Sequence, residues 1–276
     1  MTKKNWRQSL LAAPHMVWCV LFIVAPLCFV LFYAFRGDSG VSFEHFAKIF
    51  TEPTFLFTFL RSLGYALAAT VICLLIAYPL AYCLSQMKVR HQSMMVMLLM
   101  LPMWMNFLVR TYSLTQLFDN NGLINQFLSL IGLPRVQFLG TPGAVIMGMV
   151  YNYLPYMVLP IYTVMSKLDK RVIEAARDLG ANPFQTLVRV VLPLTVSGII
   201  SGITMVFVPS ISTFYVSKAM SNGKVYLIGD LIETEFLSLL NFELGSALSL
   251  VLMILILVSM FIMDKFGDEE EGSVML

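Results

Sequence analysis

Aromatic and polar side chains interrupt several long apolar stretches of the sequence, and their types indicate what chemistry the chain can perform. In one stretch Trp104 and Asn106 precede Arg110, which lies four residues after Asn106 and so on the same face of a continuous helix. Polar groups inside an apolar helix are costly and usually face a bundle interior or a water-filled cavity. This predicts a polar patch on a solute path. Arg110 could instead extend to lipid headgroups, and Trp104 could be an ordinary packed aromatic.

Two further apolar stretches combine proline with side chains that carry hydroxyl groups. One contains Tyr153 and Tyr156, and the other contains Ser210, Thr213 and Tyr215. Broken helices that present polar groups at membrane depth indicate a transport path. The alternative is that the tyrosines pack helices together and that their hydroxyls find partners inside the protein.

Acidic side chains are concentrated in the segment 217–243, between the last two apolar stretches. Asp230, Glu233, Glu235 and Glu243 outnumber Lys218 and Lys224 there. Excess carboxylates at an outer opening would raise the local concentration of a cation, and we include Glu233 and Glu235 among the candidate path residues on this ground. A solvated loop would have the same composition.

Motifs for covalent chemistry are absent from the sequence. It contains no G-x-x-x-x-G-K-[ST] loop to hold nucleotide phosphates, no H-E-x-x-H and no G-x-S-x-G. The three His residues are scattered, the four Cys residues lie within the first two apolar stretches, and no basic cluster with interleaved aromatics indicates nucleic acid. We therefore expect no enzyme activity, metal or cofactor in this chain, and an energy source in a partner or an ion gradient.

The elements that must position these residues are membrane-spanning helices. Hydrophobic residues make up 58% of the 276 residues and charged residues 12%, and the mean hydropathy is +0.80. A helix needs about 20 mostly apolar residues to cross a bilayer. The sequence predicts an all-α integral membrane protein, a single domain over 1–276, with six spans at about 13–35, 62–85, 93–113, 143–166, 194–216 and 244–263.

The distribution of Lys and Arg predicts the orientation in the membrane. Eleven of the 18 basic residues fall on one side, in the shorter loops: Lys3, Lys4, Arg7, Lys88, Arg90, Lys167, Lys170, Arg171, Arg177, Arg189 and Lys265. By the positive-inside rule both termini and the segment 167–193 should be cytoplasmic.

The segment 167–193 is charged and helical in pattern, and it lies between the fourth and fifth predicted spans. Asp169 is a suitable N-cap and Gly180 a suitable C′ residue for a first helix. Asn182 and Pro183 predict the start of a second helix, whose apolar face stops before Pro193. The apolar positions at helical spacing are Val172, Ala175, Ala176 and Leu179, then Leu187, Val190 and Val191. An amphipathic helical hairpin of this kind is typical of a segment that docks onto a partner.

The spacing within this hairpin resembles the EAA loop of binding-protein-dependent ABC importer permeases. Glu174-Ala175-Ala176 is followed by three residues, Gly180, nine residues, Val190, one residue and Leu192-Pro193. The family pattern has isoleucine where this chain has Val190. The resemblance implies the type I ABC importer permease fold, in which this loop forms coupling helices that sit in a groove of an ATPase subunit. It implies that Glu174 faces a basic residue of that subunit and that Gly180 forms the turn, with Ala175, Ala176, Arg177 and Asp178 beside them.

The likeness extends along nearly the whole chain and is greatest to the first permease of spermidine/putrescine importers. The segments that carry it include Ala77-Tyr78-Pro79, the run from Pro102 to Tyr112, Pro193-Leu194-Thr195 and Phe214-Tyr215-Val216-Ser217. It implies a bacterial inner-membrane location, a second homologous permease, two ATPase subunits that bind ATP and Mg, and an extracytoplasmic binding protein. Another small solute, a self-sufficient secondary transporter and a membrane-bound enzyme are the alternatives.

Overall fold

The computed structural model describes residues 14–37 and 40–274, and most of them are helical. Lys3, Lys4 and Arg7, on which the predicted orientation partly depends, lie outside the described residues. The chain divides into two compact units, one formed by residues 1–56 with 231–255 and the other by 57–230 with 256–276. The prediction of a single domain stays a prediction.

Helices make up most of the described chain, and two short strands follow the first helix. The first part comprises α1 Pro14–Ala34, β1 Arg36–Gly37, β2 Gly40–Val41, α2 Glu44–Thr51, α3 Pro53–Gln86, α4 Val89–Trp104, α5 Phe107–Phe118 and α6 Leu123–Leu130. The second comprises α7 Pro142–Met165, α8 Lys170–Asp178, α9 Pro183–Leu194, α10 Val196–Ser212, α11 Tyr215–Ser221, α12 Ile228–Leu237 and α13 Phe242–Val274.

Most of the predicted spans match a continuous helix. Among the described residues, Pro14–Ala34, Pro53–Gln86, Pro142–Met165 and Phe242–Met263 are each long and apolar enough to cross a membrane. The second of these begins at Pro53 rather than near residue 62. The prediction of six spans is met when each of two bent helix pairs counts as one span.

The predicted third span is not a continuous helix, and in this respect the prediction was wrong. A second bend lies at the start of the predicted fifth span, and α10 continues from it to Ser212. The segments Val89–Trp104 and Phe107–Leu130 are bent by 93° at the first break, and Pro183–Leu194 and Val196–Ser212 by 76° at the second. At the first break Asn106 caps α5, because its side chain accepts hydrogen bonds from the N–H groups of Leu108 and Val109 at 2.9 and 3.4 Å. Asn106 and Arg110 therefore do not share one face of an uninterrupted helix.

In the first unit, aromatic side chains pack the segment that follows α1. The rings of Phe43 and Phe46 lie 5.3 and 5.1 Å from that of Phe35, measured between centroids. The ring of Phe242, at the start of α13, lies 5.9 Å from Tyr33 and 6.1 Å from Phe236. Phe43 is the N-cap residue of α2, and Phe46 lies within that helix.

In the second unit, α7 lies at the centre of the packing, and α10 approaches it closely. A Cβ atom added at Gly198 would lie 3.0 Å from the carbonyl oxygen of Pro160 and 3.2 Å from the Cα of Ile161. One turn later, a Cβ atom at Gly202 would lie 2.7 Å from the sulfur of Met157. Glycines four apart allow two helix backbones to pack in contact, as in other small-residue helix interfaces.

We predict that replacing either glycine destabilises the chain. Gly198→Leu and Gly202→Leu should each cost about 1–3 kcal/mol, because the added side chain must force α7 and α10 apart. The apparent melting temperature of the detergent-purified protein measures this. Gly64→Leu in α3 is the matched control, since a Cβ atom at Gly64 meets nothing within 4 Å. An equal loss in all three variants would contradict the close-packing explanation.

Candidate functional site

The helical hairpin predicted for residues 167–193 is present, and its first helix has the predicted caps. The Asp169 side chain accepts a hydrogen bond from the N–H of Arg171 at 3.0 Å. At the other end Gly180 has φ +84°, the left-handed conformation that a residue with a side chain rarely adopts. The N–H groups of Gly180 and Ala181 donate to the carbonyls of Arg177 and Ala176, which is the Schellman pattern of a helix C-terminus.

The second helix of the hairpin starts where predicted but continues further. Asn182 and Gln185 form a reciprocal capping box, in which each side chain accepts from the other's N–H at 2.8 and 3.0 Å. The helix then widens into a π turn at Leu187–Val191 and runs on to Leu194. The predicted apolar positions end at Val191, whereas the helix itself continues through Pro193, because the wider turn accommodates a residue that has no N–H to donate.

Most of the predicted apolar positions of the first hairpin helix face outward, since Val172, Ala175 and Leu179 are exposed. Ile173, which lies outside the predicted apolar set, is the residue of α8 that packs inward. Leu179 is 90% exposed and Phe184 is 72% exposed. Val172, Ala175 and Val188 are also exposed, and we call these five apolar residues of the hairpin the hairpin face. Glu174, Arg177 and Asp178 are also exposed, and Ala176 is partly buried.

The break between α4 and α5 is held by Arg110, which is buried, with 5% of its surface exposed. Its Nε donates to Oδ1 of Asn152 at 2.8 Å, and its Nη1 donates to the carbonyl of Pro102 at 2.9 Å. Asn152 in turn donates to Oγ1 of Thr111 and to the carbonyl of Gly148. The guanidinium therefore replaces helix hydrogen bonds lost at the break and does not extend outward to headgroups. Sequence reasoning did not select Asn152 as a site residue, although its position within an apolar span was a signal.

The candidate path residues of the third span lie at this same break. Trp104 is the last residue of α4 and is 70% exposed, and Asn106 is exposed while it caps α5. Phe107, the first residue of α5, is close to both Tyr215 and Arg110. Its ring is 6.2 Å from that of Tyr215 and 5.8 Å from the guanidinium carbon of Arg110.

Some of the candidate residues of the fourth span lie close to one another and to the fifth span. The rings of Tyr153 and Tyr156 are 6.4 Å apart, and the hydroxyl of Tyr153 donates to the carbonyl of Pro209 at 3.4 Å. Ser210 is fully buried and donates to the carbonyl of Val206 at 2.6 Å, so its hydroxyl is engaged within its own helix.

The two candidate carboxylates on α12 differ in exposure. Glu235 is 6% exposed, and within the described part of the chain its Oε2 atom has no hydrogen-bond partner. Burial raises the pKa of the Glu235 carboxyl above its ordinary value, and the positive charge of Lys48 offsets only part of that increase. Glu233 is partly exposed. Among the described side chains, no three His, Cys, Asp or Glu residues come together as a metal site would require.

Known proteins resemble this chain in both sequence and fold. A family model described as "Binding-protein-dependent transport system inner membrane component" matches residues 8–268. The spermidine/putrescine transport system permease protein PotB of Haemophilus influenzae is 37% identical over 267 residues, which cover 94% of this chain and 93% of that protein. PotB of Escherichia coli K12 is 37% identical over 246 residues, covering 86% and 89%.

Solved structures share the fold at low sequence identity. A chain from the crystal structure of a bacterial ABC transporter involved in the import of the acidic polysaccharide alginate superposes with a TM-score of 0.81 at 17% identity. The alignment covers 97% of this chain and 96% of that chain. A second structure of the alginate transporter, in complex with its alginate pentasaccharide-bound periplasmic protein, gives a TM-score of 0.76 at 18% identity and covers 96% and 95%.

We predict that the stability of the first unit depends on the protonation of Glu235. A carboxyl whose pKa is raised on folding stabilises the folded state most when it is protonated, so this stability is lost as pH rises through the raised pKa. Glu235→Gln should therefore become increasingly more stable than the wild type as pH rises from about 4 to 8. Melting temperatures across this range measure the difference. Glu44→Gln, at an exposed position of α2, is the control, and parallel pH profiles for wild type and Glu235→Gln would refute the prediction.

Proposed function

The chain belongs to the family of inner membrane components of binding-protein-dependent transport systems, and from this premise we propose that it forms half of the translocation path of an ATP-driven polyamine importer. It is a multi-pass permease with the type I ABC importer permease fold. In this proposal a second homologous permease supplies the other half, and two ATPase subunits bind ATP and Mg. An extracytoplasmic binding protein delivers the polyamine.

The exposed hairpin face is the observation that supports coupling to a separate ATPase. The sequence has no nucleotide-binding loop, so the energy of ATP must reach this chain through a contact. Leu179 and Phe184 present large apolar side chains to the outside of a segment that is otherwise charged. Exposed apolar patches rimmed by polar residues mark interaction sites. We assign Glu174 to an ion pair with a basic residue of the ATPase. Because the ATPase is cytoplasmic in this proposal, the hairpin and both termini must be cytoplasmic too.

The proposed substrate class is supported by the relatives and by the chemistry of the candidate path. The PotB relatives are named for spermidine and putrescine transport. Aromatic faces attract ammonium groups, and Trp104, Tyr153, Tyr156 and Tyr215 supply such faces near the broken spans. Asn106 supplies an exposed polar group beside them. The predicted spans contain no Asp or Glu, so a carboxylate deep in the path would come from the partner permease or from the outer segment, for example Glu233 or Glu235.

The proposed mechanism is an equilibrium between inward-facing and outward-facing states. ATP closes the ATPase dimer, and α8 and α9 move with it as a rigid lever because both helices are fixed by strong caps. The loaded binding protein biases the same equilibrium from the outer side, so each site changes the affinity of the other.

The substrate assignment is tested by ATPase activity of the complex reconstituted in liposomes with its binding protein. Spermidine or putrescine should stimulate hydrolysis, because the loaded binding protein favours the state in which the ATPase dimer closes. A non-amine solute serves as the control. Stimulation by that solute and not by the amines would refute the polyamine assignment while leaving the permease role intact.

Coupling through the hairpin is tested by two substitutions. Leu179→Asp should abolish co-purification of the ATPase, because burying a carboxylate in place of the most exposed apolar side chain of the hairpin face carries a large desolvation cost. Leu130→Asp on α6 is the matched control, since Leu130 is 84% exposed and lies outside the hairpin. Glu174→Ala should retain the ATPase but lose substrate-stimulated hydrolysis and uptake. Wild-type uptake by Glu174→Ala would refute its assigned role.

A further inference from the structure

Two of the sequence segments that carry the family resemblance have no role in the mechanism above, and they meet in the structure. The phenol oxygen of Tyr78, on α3, lies 3.2 Å from the hydroxyl oxygen of Thr195 although the residues are 117 positions apart. Both residues belong to the second unit.

Thr195 occupies the bend between the hairpin and the fifth span. It is the one residue between α9 and α10, whose axes differ by 76°, and its φ and ψ are −119° and 10°. It is fully buried. Any movement of α9 relative to α10 must be absorbed at this residue or next to it.

The hydrogen bonding of Thr195 assigns the donor in the contact. Its hydroxyl donates to the carbonyl of Val191 at 2.9 Å, within the last turn of α9. A hydroxyl has one proton to donate and two lone pairs to accept with, so the phenol of Tyr78 is the donor. At 3.2 Å this bond is longer than is usual between two hydroxyls, so its contribution to joining the two helices is small.

The other residue of the contact, Tyr78, lies beside a proline in the interior of α3. Tyr78 directly precedes Pro79, which cannot donate a hydrogen bond and so leaves the carbonyl of Leu75 without its helix partner. Ala77 and Ala81 are fully buried and fix the face of α3 that packs inward. The contact thus joins a proline site in one span to the bend at the start of another.

We propose that Tyr78 and Thr195 are positioning residues that carry the movement of the hairpin lever to α3. When α9 pivots at Thr195, the hydrogen bond makes α3 follow at its proline, so the two spans change state together. This inference rests on the proposed coupling function, because it requires α9 to be driven by an ATPase.

Tyr82 provides a matched control on the same helix. It lies one turn after Tyr78, and within the described part of the chain its buried hydroxyl has no hydrogen-bond partner. Tyr82→Phe and Tyr78→Phe therefore remove the same atom from neighbouring positions, and only the second removes the contact with the bend.

The experiment measures substrate transported per ATP hydrolysed in the reconstituted complex with its loaded binding protein. Tyr78→Phe and Thr195→Val should each lower this ratio by about two- to fivefold, the effect expected for one weak hydrogen bond. The double variant should be no worse than the more impaired single variant, because both remove the same contact. Tyr82→Phe and Thr195→Ser, which keep the contact, should retain the wild-type ratio.

The outcomes separate this proposal from the one on which it rests. A wild-type ratio in Tyr78→Phe, or an equal loss in Tyr82→Phe, would overturn the positioning role. A loss of ATPase retention in Tyr78→Phe would also overturn it, since the contact would then serve assembly. If the wild-type complex itself shows no substrate-stimulated hydrolysis, it is the proposed function that fails.

Discussion

The satisfaction of backbone hydrogen bonds at two helix breaks is the constraint on which the rest of the structure depends. Inside a bilayer no water is available to bond a free N–H or C=O, so a span can break only where the protein supplies substitutes. At the first break Asn106 caps α5 and Arg110 bonds the carbonyl of Pro102. At the second, the N–H of Thr195 donates to the carbonyl of Leu192. These substitutes allow bent spans where continuous helices would otherwise be more stable.

The breaks lie beside the residues to which we assign function. The first places Trp104 at an exposed helix end and brings Phe107 next to Tyr215. The second separates the hairpin from α10, so that the hairpin can turn without dragging the whole fifth span. Between them, α7 provides a rigid support, because it contacts the first break through Asn152 and packs closely on α10 through Gly198 and Gly202.

The hairpin combines two firmly capped helices with apolar side chains that the chain itself leaves exposed. Its two helices have side-chain caps at both N-termini and a glycine turn between them, which fixes their geometry before any partner binds. Leu179 and Phe184 are mostly exposed, so the chain's own packing leaves these two apolar side chains largely uncovered. A preformed apolar surface reduces the entropy that docking would cost, and a rigid lever transmits movement better than a flexible loop.

The sequence by itself determined the class of the protein, most of its spans and the local form of the hairpin. These depend on composition and on nearest neighbours: span length follows from the bilayer thickness, and Asp169, Gly180 and Asn182 act on N–H and C=O groups within a few residues. Only the tertiary structure decided the two bends, the inward orientation of Ile173, the Arg110–Asn152 bond and the contact of Tyr78 with Thr195. Each of these depends on a partner distant in sequence or on which side of a helix is covered, and local periodicity contains neither kind of information.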